Sequence, residues 1–159
     1  MTDSVDRGPS RVAWPPIVFL GAAVLGVVLA YAVPLPWIGS PLSDILFAAG
    51  WLLAAAALLS IAMAIRTLRH ADTTVMATRS ARHLVIGGPY AFSRNPIYLG
   101  LAALLFAVGL ITGSVWFLLA SILAAIVTQK LAIEPEERHL AERFGKRYRD
   151  YQKKARRWF

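Results

Sequence analysis

"IYLGLAALLFAVGLITGSVWFLLASILAAIVTQ", Ile97 to Gln129, runs for 33 residues without a charged side chain. A helix crossing a hydrocarbon core of about 30 Å needs roughly 20 apolar residues, so the stretch is too long for one crossing. "TGS", Thr112 to Ser114, interrupts it near the middle, and Gly113 offers a turn. The stretch therefore predicts two helices in a tight hairpin. Upstream, Ile17–Val33 (17 residues) and Ile45–Ile65 (21 residues) are uncharged and apolar as well. Each is long enough to cross, the first with help from its flanks. The expected fold is an all-α integral membrane protein with four transmembrane helices and a cytoplasmic amphipathic C-terminal helix. It forms one membrane domain over 1–159. Within it, 14–65 is a two-helix hairpin, and 66–159 holds a connector, the second hairpin and the C-terminal helix.

Composition agrees with a membrane chain. Hydrophobic residues make up 57%, against roughly 45–50% in soluble domains. No cysteine is present, which excludes disulfides and thiolate metal sites. His70, His83 and His139 are scattered without ligand-like spacing, so no metal is expected. "MTDSVDRGPSR" carries two acids and no small-residue cleavage site follows the first span, so that span is expected to be retained rather than removed as a signal peptide.

Charge placement sets the orientation. Of the 17 Lys and Arg, Arg7 and Arg11 precede span 1, and Arg66, Arg69, Arg79, Arg82 and Arg94 lie between spans 2 and 3. The remaining ten fall from Lys130 to Arg157, and the links after spans 1 and 3 hold none. With an even number of crossings, all positive charge lies on one side, which the positive-inside rule assigns to the cytoplasm. A net charge of +8 would also attract nucleic acid. Segregation by loop favours membrane topology instead, and no nucleic-acid partner is expected. The external links, "PLPWIGSPLSD" and "TGS", lack material for a site, so any reaction belongs to the cytoplasmic connector and tail. Its expected partners are membrane lipids and an acceptor arriving through the bilayer.

Two segments on that side stand out. In "GPYAFSRNPIYLG", Gly88 to Gly100, Asn95 is a good N-cap and Pro96 suits the first helical turn. Span 3 then points its positive dipole end at the cytoplasm, a favourable place for an anion. Arg94 adds a fixed charge, Gly87, Gly88 and Pro89 permit a sharp turn, and Tyr90 and Tyr98 supply aromatic faces with hydroxyls. An ordinary loop with interfacial tyrosines carries the same residues, so this stretch alone leaves both readings open.

The second segment is the tail. At 100° per residue, Ile133, Leu140, Phe144, Tyr148, Tyr151, Ala155 and Trp158 form one apolar stripe. Arg138, His139, Glu142, Lys146, Arg149, Lys153 and Arg156 occupy the opposite face, a pattern suited to an anionic leaflet. Glu137 falls inside the stripe and Glu136 at its edge. A buried carboxylate requires a partner: either Arg94 or Arg82 in a structural ion pair, or a polar group of a ligand.

Together, "LVIGGPYAFSRNPIYLG" and "EERHLAERFGKRYRDYQKKARRW" resemble the isoprenylcysteine carboxyl methyltransferase and phospholipid N-methyltransferase superfamily. Its pattern, approximately G-P-(Y/F)-x-x-x-R-(H/N)-P-x-Y-x-G and then E-E-x-x-L-x-x-x-F-G-x-x-Y-x-x-Y, is met at every anchor. The resemblance covers about half the chain, Leu84 to Trp158. It implies S-adenosylmethionine as cofactor, in a cytoplasm-facing pocket built by both motifs, and an integral inner-membrane location in a bacterium. Carried over, Gly88, Pro89, Tyr90 and the Arg94-Asn95-Pro96 turn hold the amino-acid end of the cofactor. Tyr98 lines the pocket, and Glu137 with Glu136 binds its polar groups. Glu137, Arg94 and Asn95 are the expected catalytic residues. Asn95 stands where the best-known branches have His, and a neutral amide carries no proton in transfer. "IEPEE" replaces the expected I-P-x-E-E, which adds Glu134 and moves the bend entering the tail.

Transfer to a carboxylate or neutral amine needs no base, whereas an ammonium must first lose a proton. Glu137, and after it His83, are the candidate bases. The small-residue spans 1 and 2 can pack closely or form a homodimer. Two other classes compete: a small transporter or assembly subunit, and a membrane reductase using a nicotinamide cofactor. Transporters usually place an ionisable residue at depth, and the only acid near a span interior, Asp44, lies at a helix end.

Overall fold

A computed structural model describes residues 14–71 and 84–159. Arg7, Arg11, Arg79, Arg82 and His83 lie outside them. The described residues are mostly helical, with no β-strand among them.

Helix α1, Trp14–Ala32, opens on Pro15 and Pro16, whose missing N–H groups cost nothing in a first turn. Helix α2 runs from Leu42 to His70, 29 residues, and overshoots the apolar stretch at both ends. Asp44 lies in its first turn and Arg69 in its last, each the sign that the helix dipole favours. Hydropathy marks where charge begins and does not mark where a helix stops. Helix α3, Pro96–Thr112, and α4, Val115–Thr128, are joined by Gly113 and Ser114. Gly113 adopts φ 65°, left-handed backbone that suits glycine. The break thus falls at the residue that the sequence marks.

Among the described residues, three helices are long and apolar enough to cross a membrane: α1 from Pro15, α2, and a continuous helix from Val115 to Phe144. Helix α3, with 17 residues, is shorter. The third long helix corrects the expected bend before the tail. Beyond Thr128 the chain passes through a π-helical turn, Gln129–Ile133, directly into α5, Glu134–Phe144. Pro135 cannot donate to the helical ladder, and the π turn places the missing donor where the ladder already slips by one residue.

The expected single C-terminal helix is likewise two helices and a tail. Gly145, at φ 53° and ψ −120°, ends α5 and starts α6, Lys146–Lys154. Ala155 is extended, and Arg156 forms an isolated parallel bridge with Ser93. A helical wheel carries its phase through Gly145; the backbone does not.

A core of Phe19, Leu105, Phe117, Ala120 and Ala124 ties α1, α3 and α4 together. Helices α2 and α3 meet through small residues, with Gly50 against Leu110 and Ile111, and Gly100 against Ala57 and Ile61. Large apolar side chains on the outside, such as Leu20 and Leu52, remain exposed, as a lipid-facing surface requires. At one end of the bundle, Trp37 lies on Gly113, and Trp116 Nε1 donates to the Val33 carbonyl at 2.7 Å. At the other end the last turn of α2, the start of α3 and the C-terminal helices converge.

Candidate functional site

The site begins at Gly88. Its φ of 60° lets the chain turn sharply over the last turn of α2, where a Cβ would stand 3.1 Å from Thr67 Oγ1. A side chain in left-handed backbone costs about 1–2 kcal/mol. Gly88→Ala is therefore expected to lower stability by about that amount, read as a lower apparent Tm in detergent. A 3₁₀ turn, Gly88–Ala91, follows and buries Tyr90. The Tyr151 hydroxyl donates to the Tyr90 carbonyl, fastening this loop to α6. Burial pushes the phenols of Tyr90, Tyr148 and Tyr151 upward, that of Tyr148 to about 12, so all three remain protonated donors.

Asn95 occupies the N-cap position of α3 and Pro96 its first turn, as expected, but the Asn95 side chain makes no cap. Its Nδ2 instead donates to the Arg157 carbonyl at 3.0 Å, and its backbone N–H donates to Ser93 Oγ at 3.2 Å. The backbone at ψ 54° is not the extended form of a capping residue. The extended tail captures the amide that was expected to cap the helix.

Glu137 is the centre of the cluster. Arg94 Nη2 reaches its Oε1 at 3.2 Å, and Arg157 grips both oxygens, Nε to Oε1 at 3.1 Å and Nη2 to Oε2 at 2.7 Å. The carboxylate in the apolar stripe is thus satisfied by one cation that the sequence names and one that it does not. Arg157 escaped notice because it lies beyond the end of α6, where helical phase has no meaning. The same tail also brings Arg156, whose carbonyl accepts from the Arg94 N–H at 2.8 Å, and Trp158, whose Nε1 donates to Gln129 Oε1 at 2.9 Å.

Glu136 has different company. Its oxygens accept from the Tyr98 hydroxyl at 3.2 and 3.4 Å, and no ion pair reaches it among the described residues. Its charge is also felt by the Tyr90 phenol, so Tyr90, Tyr98 and Glu136 share one corner of the site. Glu134 turns away to Lys130, at 2.8 Å. Among the described residues, three buried side-chain polar atoms have no hydrogen-bond partner: Arg94 Nε, Thr128 Oγ1 and His139 Nε2.

The structure therefore gathers Gly88, Pro89, Tyr90, Arg94, Asn95, Pro96, Tyr98, Glu136 and Glu137 at one end of the bundle. It adds Arg157, Trp158 and Ser93, and leaves Arg82 and His83 outside the described residues. Such a cluster offers an unpartnered guanidinium Nε for an anion and, for a cation, a carboxylate that has no counter-ion among the described residues. Residues 45–147 match the model of a family described as phospholipid methyltransferase. The matched region runs from the first turn of α2 through α5 to the start of α6 and stops just before Tyr148. No match was found among curated proteins or among solved structures.

Proposed function

The chain belongs to the phospholipid methyltransferase family, a family of membrane methyltransferases, and from that premise we propose that it uses S-adenosylmethionine to methylate a lipophilic acceptor reaching it through the bilayer. One observation carries the reading. Arg94 Nε is buried without a partner in the same cluster as Glu136, a carboxylate with no counter-ion among the described residues. The cofactor presents a carboxylate beside an ammonium and a sulfonium, so its charges complement both. The residues present fit it.

When bound, the cofactor supplies a methyl group already activated by the sulfonium. The protein's task is then to hold two reactants in line and exclude water. Arg94 binds the amino-acid carboxylate, and Glu136, oriented by Tyr98, faces the cationic part. The Gly88–Ala91 turn lets backbone approach the cofactor closely. Glu137, the expected base, has both oxygens engaged by guanidiniums, which makes it an orienting group. Glu136 is the better placed of the two to take a proton if the acceptor is an ammonium. An isoprenylcysteine-type carboxylate would need none.

In this reading α3 is the fourth span. Its 17 residues cover about 26 Å, and it is flanked by α2 and α4. Arg66, Arg69, Arg94 and the basic residues from Lys130 onward collect at the site's end of the bundle, a pattern that by the positive-inside rule supports a cytoplasmic site; a bacterial inner membrane is what the family resemblance implies.

Calorimetric titration of the purified chain with S-adenosylhomocysteine tests the proposal, with NADPH as the ligand that a reductase would bind. Binding of the first alone is expected; failure to bind it would overturn the reading. Transfer of labelled methyl into a lipid extract then identifies the acceptor. Tyr98→Phe removes the donor to Glu136 and is expected to weaken S-adenosylhomocysteine by about fivefold, the worth of one hydrogen bond. Unchanged affinity would remove Tyr98 from the site.

A further inference from the structure

The tail beyond α6 belongs to none of the matched residues, which end at 147, yet it makes the shortest ion pair in the cluster. A carboxylate offers about four lone-pair sites, and a two-pronged arginine takes two of them in a fixed plane. Arg157 does this to Glu137. Arg94 touches Glu137 through Nη2, at the longer distance of 3.2 Å, and its Nε is left without a partner. Without Arg157, the strongest acceptor near Arg94 would be a Glu137 carboxylate with free lone pairs, and the guanidinium could turn its Nε–Nη edge onto it.

We infer that Arg157 is a positioning residue: by satisfying Glu137 it keeps the Arg94 edge available for the carboxylate of the cofactor. The tail is built to hold it there. The Arg94 N–H donates to the Arg156 carbonyl, Asn95 Nδ2 donates to the Arg157 carbonyl, and Trp158 is fixed to Gln129. The sequence thereby returns its last residues to the first motif, and Arg157 and Arg94 divide one carboxylate between them. The inference rests on the cofactor reading above and assigns a role to a residue that is an anchor of neither motif.

The test compares two ligands on the full chain in detergent: S-adenosylhomocysteine, and 5′-methylthioadenosine, which lacks the amino-acid carboxylate. Arg157→Gln is expected to weaken the first on the order of tenfold or more, the worth of a charge-assisted hydrogen bond. The second should bind as it does to the unaltered chain. Arg157→Lys, which keeps the charge without the fork, is expected to fall between. Equal weakening of both ligands by Arg157→Gln would mean a merely structural role and overturn the inference, as would no weakening of either. If the unaltered chain fails to bind S-adenosylhomocysteine, the cofactor reading falls first, so the two failures are distinguishable.

Discussion

Glu137→Gln is expected to destabilise the protein by about 3–5 kcal/mol, the usual consequence of leaving buried charges without their partner. The Glu137 and Arg94 side chains are only 10% and 12% exposed, so water cannot replace what Arg94 loses, whereas Arg157, at 36%, is partly hydrated. The amide keeps the volume but carries no charge, and its NH2 faces guanidiniums that have nothing to accept with. Arg94 and Arg157 would then confront each other across a neutral group. Thermal unfolding in detergent, followed by circular dichroism, reads the effect. Lys130→Ala provides the scale, because its pair with Glu134 is exposed (64% at the lysine) and such pairs are worth about 0–1 kcal/mol. A Glu137→Gln shift no larger than that of Lys130→Ala would overturn the assignment. Adding Arg157→Gln to Glu137→Gln is expected to recover part of the loss, since it removes one of the two stranded cations.

Much of this architecture is legible in sequence because it depends on counting. Apolar runs of a given length yield helices, and a glycine in the middle of an overlong run yields the turn at Gly113. A glutamate inside an apolar stripe announces that it has a partner, and Arg94 is within the set that the pattern offers. What escapes is whatever depends on where the backbone leaves its period. Gly145 resets the phase between α5 and α6, the π turn absorbs Pro135, and the tail then runs extended beside Ser93. Arg157 is visible only once that path is known. Asn95 illustrates the same limit at one residue: its type fits a cap, and a competing acceptor, the Arg157 carbonyl, decides otherwise. Glu136, placed at the edge of the stripe, turns out to be the carboxylate of the site that no cation reaches among the described residues, because both guanidiniums converge on its neighbour.

Gly100→Val is the second large effect, and it connects packing to the site. A Cβ at Gly100 would stand 2.5 Å from Ile61 Cγ1 and 3.2 Å from the Ala57 carbonyl oxygen. Neither neighbour can yield cheaply: Cγ1 is one bond from the Ile61 stem, and the carbonyl is part of α2 itself. Helices α2 and α3 must part, and overpacking of this kind costs about 1–3 kcal/mol. Valine adds two methyl groups beyond the first clash, which places the change at the upper end of that range. The displacement would occur two residues from Tyr98 and four from Pro96, so the start of α3 moves with it. Both a lower apparent Tm and weaker S-adenosylhomocysteine binding are therefore expected. Gly21→Val on α1 is the control, because a Cβ there meets nothing within 4 Å. It replaces glycine inside a helix by a residue with slightly better helix propensity and should leave both measurements unchanged. If Gly100→Val behaves like Gly21→Val, the close approach of α2 and α3 is not what holds the first motif in place.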